Sequence, residues 1–129
     1  MEQNKSFGAF IREKRLEKEI SLRQFAAKLD LSPVHMSNME NDRRPAPKGK
    51  ALERMAALLK LDKQELEEMY DLAAISKNAP TVSGDLPDYI MENDIVRIAL
   101  RTAKDVDATD EEWQDFIARL NERSKRTGG

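Results

Sequence analysis

Apolar residues recur at helical spacing through most of this chain, and turn-forming residues take over wherever that spacing stops. Phe7, Phe10, Ile11 and the stem of Arg15 align on one face of a helix predicted from about Phe7 to Lys18. Leu22, Phe25, Ala26 and Leu29 give a second, shorter helix. Ser21 is its N-cap, and Gln24 three residues later completes a capping box. Asp30-Leu31-Ser32 reads as a tight turn, with Leu31 as an apolar plug between helices. Ser32-Pro33 opens a third helix, a hydroxyl cap followed by proline at the first helical position, where its missing N–H costs nothing. Met36, Met39 and the stem of Glu40 point inward on that helix, which leaves Val34, Ser37, Asn38 and Asn41 outside. The small Ala26 lets this helix cross the previous one closely.

Two prolines make the segment Asn41 to Pro47 a loop. A fourth helix carries Leu52, Met55, Ala56 and Leu59 on one stripe. Asp62 and Glu65 form another capping box and open a fifth helix with Leu66, Met69, Tyr70 and Ala73 on one face. Residues 1–75 therefore read as one five-helix domain. Residues 76–85, with Pro80, Ser83 and Gly84, read as a linker of at most about 35 Å. Residues 86–129 read as a second, small helical module, so the chain as a whole is all-α. Leu86, Tyr89 and Ile90 suggest a short helix or turn there. A helix from Asp94 to Lys104 aligns Ile95, Val96, Ala99, Leu100 and Ala103, with Ile98 on the opposite side. Thr109 and Glu112 cap a last helix bearing Trp113, Phe116, Ile117 and Leu120, and a disordered tail is expected after Arg123. A module of about 45 residues without cysteine buries too little to stand alone. Its apolar residues Ile95, Ile98, Ala99, Leu100, Trp113, Phe116, Ile117 and Leu120 are thus the candidate dimer or partner surface, with docking on the first domain as the rival.

Composition narrows the possibilities. The chain has 129 residues, no cysteine and one histidine. That leaves no disulfide framework and no thiolate metal site. With no glycine-rich loop and no partner for His35, no catalytic constellation, metal site or cofactor is implied. The acidic clusters Glu65-Glu67-Glu68 and Asp110-Glu111-Glu112 each fall in the first turn of a helix, where carboxylates favour the positive end of the dipole. No apolar run is long enough to span a bilayer and no hydrophobic segment opens the sequence, so a cytoplasmic protein with no membrane partner is expected. The net charge of −2 hides an asymmetry. Residues 1–60 hold 13 Lys and Arg against 8 Asp and Glu, whereas the remainder holds 9 against 16. Such a split suits a protein whose first part alone meets phosphate.

Helices two and three, with the turn between them, have the outline of a helix-turn-helix, whose second helix lies in the major groove of DNA. A plain αα-hairpin is the bland alternative. From Phe7 to about Leu66 the chain resembles the Cro and lambda-repressor type helix-turn-helix family, also called the xenobiotic response element family. Phe7-Gly8-Ala9-Phe10-Ile11-Arg12 and Arg15 match its first helix, Leu31-Ser32 and Ser37-Asn38-Met39-Glu40 its turn and reading helix, and Pro47, Leu52, Ala56 and Leu59 its fourth helix. The resemblance implies an internal ion pair between Arg15 and Glu40, and base contacts from the positions of Pro33, Val34 and Asn38. Two positions depart from the family: Leu22 replaces the glutamine that usually braces a phosphate, and Asp30 replaces the usual turn glycine.

The residues themselves suggest how such a helix would read DNA. The Asn38 carboxamide suits adenine N6 and N7, Val34 suits a thymine methyl, and Ser37 is small enough for close approach. Arg23, Ser32, His35, Asn41, Arg43, Arg44, Lys48 and Lys50 are the candidates for phosphate or groove-edge contact. The expected function is sequence-specific binding of double-stranded DNA by a homodimeric regulator, most simply a repressor on a palindromic operator. Two alternatives stand beside it. One is an antitoxin or immunity-repressor whose second half binds a toxin or protease; the other is a protein-bridging cofactor that does not bind DNA.

Overall fold

Side-chain caps mark where most helices of this chain begin. The computed structural model describes residues 5–76 and 81–127, and every regular element among them is an α-helix. Ser6 caps α1 (Phe7–Glu17), accepting the Ala9 N–H at 3.1 Å. Ser21 and Gln24 cap α2 (Leu22–Lys28) reciprocally, and Ser32 caps α3 (Pro33–Glu40) with Pro33 at its first position. Asp62 and Glu65 form the matching box on α5 (Lys63–Ile75). Only α4 (Gly49–Leu59) among these five begins without a side-chain cap. Gly49 has φ +55° there, a left-handed conformation that would strain any residue with a Cβ.

These five helices share one apolar core. Phe10, Phe25, Ile11, Met36, Met55, Leu59 and Met69 are its largest fully buried side chains. The inward stripes of α1 to α5 expected from spacing are the ones that meet in it. Asp30 sits at φ +57°, so aspartate does occupy the left-handed turn position between α2 and α3. Lys14 on α1 donates to Glu65 on α5 at 2.8 Å, tying the first and last of the five helices.

The chain divides into two compact units, Met1–Pro87 and Asp88–Gly129. Of the segment expected to be a linker, residues 77–80 lie outside the described residues. The part that follows is laid on α5: Thr81 N–H reaches the Ala74 carbonyl at 3.4 Å, and the Ser83 hydroxyl donates to Asp71. Gly84 packs beside the Tyr70 ring.

The second unit comprises α7 (Asp94–Asp105) and α8 (Asp110–Thr127), with α6 (Pro87–Glu92) starting at the boundary. Asp107, at φ +53°, turns the chain between α7 and α8. Thr109 and Glu112 make the expected reciprocal cap of α8. The disordered tail expected after Arg123 is not what the structure shows, since α8 continues to Thr127. Ser124, Lys125 and Arg126 are compatible with helix, and the two cations lie at the negative end of its dipole.

Candidate nucleic-acid interface

The polar face of α3 is the centre of the site. Val34 is 70% exposed, an extreme value for a branched apolar side chain. Asn38 lies one turn further along the same face and is half-buried. Its carboxamide has no hydrogen-bond partner among the described residues, whereas its backbone carbonyl accepts the N–H groups of Arg43 at 2.8 Å and Arg44 at 3.3 Å. The neighbouring polar residues are already paired. Asn41 Nδ2 donates to the Ser37 carbonyl at 3.0 Å and lies 3.4 Å from its hydroxyl. Ser32 Oγ accepts the His35 N–H at 3.0 Å, leaving its own O–H to donate elsewhere. Pro33 is exposed at the first position of the helix, and His35 is half-buried.

The orientation of α3 is set from behind. Arg15 Nε donates to Glu40 Oε2 at 2.7 Å and Nη2 to Oε1 at 2.9 Å, a two-pronged pair that is less than one-tenth exposed. Arg15 Nη1 also reaches the Ile20 carbonyl at 2.8 Å, and the hydrogen bond to Glu40 holds the guanidinium pKa above its ordinary value. These are the two residues that the family resemblance pairs.

Three further contacts carry no obvious sequence signature. The Asp42 carboxylate accepts the Gly8 N–H at 3.0 Å and the Ser6 hydroxyl at 2.6 Å, so the end of α3 is clamped to the start of α1. Gly8 allows this approach, because a Cβ there would lie 2.4 Å from the Glu40 carbonyl oxygen and 2.5 Å from that of Met39. Arg54 on α4 reaches the Lys28 carbonyl and Asp30, fixing α4 to the turn before α3.

The basic residues surround this helix on ordered backbone. Arg23 is exposed in the first turn of α2. Arg43 and Arg44 are exposed on a loop held at one end by the Asp42 clamp. At its other end, Ala46 is buried and its N–H reaches Ser76 Oγ at 3.2 Å. Lys48 and Lys50 flank the uncapped start of α4, where backbone N–H groups add to the positive field. The acidic residues of α5 have structural partners instead: Glu65 caps its helix and meets Lys14.

Comparison with known proteins agrees with this geometry. Residues 6–69 match the family model described as "Helix-turn-helix domain". Among curated proteins, none matches the chain. Among solved structures, the chain is similar to one described as "SinR protein/SinI protein complex", at 18% identity and a TM-score of 0.46. That match covers 92% of this chain and 98% of the other. At that score it is too loose to inform partners or assembly. No described helix is long and apolar enough to cross a membrane. The chain thus carries, over residues 6–69, a helix-turn-helix DNA-binding domain of the Cro and lambda-repressor type and takes its place among the transcription regulators built on that domain.

Proposed function

We propose that this protein is a cytoplasmic, sequence-specific repressor that binds a palindromic operator as a homodimer. The observation that carries the reading is the outer face of α3. It presents an unpartnered carboxamide and an exposed branched apolar side chain one turn apart, while its polar neighbours are already paired. Asn38 and Val34 then read base edges, an adenine and a thymine methyl respectively, with Pro33 and Ser37 close by. Arg23, Ser32, His35, Asn41, Arg43, Arg44, Lys48 and Lys50 hold the phosphates on either side. Homodimerisation rests on the second unit, where Ile95, Ile98, Leu100, Trp113, Phe116, Ile117 and Leu120 are all exposed. Two-fold pairing is the commonest way to cover such a surface, and it presents two reading helices about 34 Å apart.

Sequencing the DNA fragments that the purified protein selects from a random pool tests this reading. A two-fold symmetric motif is expected, with half-sites about one helical turn apart. Asn38→Ala should cost about 1–3 kcal/mol on that motif and relax preference at one base pair of each half-site. An unchanged motif for Asn38→Ala removes the base-reading role, and no enrichment at all for the wild type removes sequence-specific binding.

A further inference from the structure

The charges on α8 complement themselves, and we infer that two copies of this helix pair antiparallel across a two-fold axis between Phe116 and Ile117. The inference rests on the homodimer reading and adds the orientation and register of the contact. No side chain described between residues 88 and 126 is buried. On α8, Trp113, Phe116, Ile117 and Leu120 form a continuous stripe at helical spacing. Trp113 and Phe116 already meet edge to face, with centroids 6.3 Å apart. The stripe alone does not say what covers it; the charges beside it do.

At 3.6 residues per turn, Glu112 and Arg123 fall on one flank of the stripe, and Asp110 and Lys125 on the other. When two identical helices pack antiparallel, each flank faces the same flank of the other copy, running in reverse. An axis between Phe116 and Ile117 sets Trp113 opposite Leu120 of the second copy and Phe116 opposite its Ile117. The same register brings Asp110 near Lys125 and Glu112 near Arg123, each offset by about 3 Å along the axis, which long side chains span. Symmetry repeats each pair. Glu112 is already fixed in the first turn by the Thr109 N–H at 2.9 Å.

A parallel arrangement does the opposite. It stacks Asp110, Glu111, Glu112 and Asp115 on their own copies, and Arg119, Arg123, Lys125 and Arg126 on theirs. The helix dipole by itself explains why acids precede bases along α8. It does not explain why acid and base share a flank at matching distances from the middle of the stripe.

Sedimentation of the full-length protein at low salt provides the test. Asp110→Lys and Lys125→Glu each set like charges opposite one another twice, and each should weaken the dimer by about tenfold. The double variant Asp110→Lys/Lys125→Glu should recover wild-type association, which also excludes misfolding as the cause of the single losses. Mixing the two single variants should yield a heterodimer in preference to either homodimer. A dimeric wild type whose single variants associate equally well overturns the antiparallel register and leaves the homodimer standing. A monomeric wild type removes the homodimer and this inference together.

Discussion

Arg15 is the residue through which the reading helix depends on the rest of the fold. Its guanidinium and the Glu40 carboxylate are both nearly excluded from water, and each provides almost all of the other's compensation. Truncating Arg15 leaves a carboxylate stranded in a low-dielectric site. Arg15→Ala should therefore destabilise the protein by on the order of 3 kcal/mol, the low end for breaking a buried pair. In a domain this small, that lowers the melting temperature by at least about 10 °C. DNA affinity per folded molecule should change much less. Equal melting temperatures for the variant and wild type would show that the pair contributes nothing. Some of this residue-scale detail is legible in the sequence, because it follows from local rules. Asp30 in a left-handed turn and Met36 and Met39 facing inward need only a few neighbouring residues. Asp42 clamping Ser6 and Gly8 is not legible, since its partners lie 34 and 36 residues away and aspartate in a loop is unremarkable. Gly8 offers a hint, being a glycine in the first turn on the buried side of a helix, but the spacing does not say which backbone it admits.

At the scale of elements, helix starts are legible wherever a side chain caps them, and α4, which lacks one, is placed only by its stripe. The ends are less legible: α8 outruns its expected stop because basic residues suit a helix C-terminus as well as they suit a free tail. How elements tie together is harder still to foresee. Glu65 is readable as a cap, yet it also accepts from Lys14 across the domain. The hydrogen bond from Lys14, and then that from the Asp62 N–H, lower the Glu65 pKa, while the Glu65 contact raises that of Lys14. A carboxylate with a depressed folded pKa stabilises the fold above its unfolded pKa of about 4.3 and loses that stabilisation as pH falls through the folded value. For Lys14 the contribution is present below about 10.4 and is lost as pH rises through its raised pKa. Glu65→Gln keeps an N3 residue able to complete the capping box but removes the charge. It should lower stability by less than about 1 kcal/mol at pH 7, because the pair is partly exposed. That difference should shrink toward zero as melting curves are taken down to about pH 3. A gap that persists at acid pH would assign the loss to packing instead of charge.

The whole molecule separates the work between its two units. Every buried residue belongs to the first, and the basic excess of the sequence coincides with it. The second holds acidic surplus and an apolar surface without a core of its own. This division is visible in the sequence as a change of charge and an interruption of periodicity, but its position is not. The stretch after residue 80 reads as linker from its proline, serine and glycine, yet Thr81, Ser83 and Gly84 make specific contacts with α5 that composition does not register. Shortening the chain to residues 1–87 therefore respects the structural boundary, and it leaves the core of α1 to α5 untouched. That shortened chain should keep a melting temperature within a few degrees of the full protein while sedimenting as a monomer. Its affinity for a two-fold symmetric site should fall on the order of a hundredfold, because the second half-site no longer binds as part of the same particle. The slope of log affinity against log salt should also fall by about half, since each bound molecule displaces the counterions of one half-site only. Base preference within the half-site should be unchanged, because α3 and its supports are all retained. A shortened chain that remains as dimeric as the full protein would place the dimer contact on the helix-turn-helix unit and leave the apolar surface of α7 and α8 for a different protein.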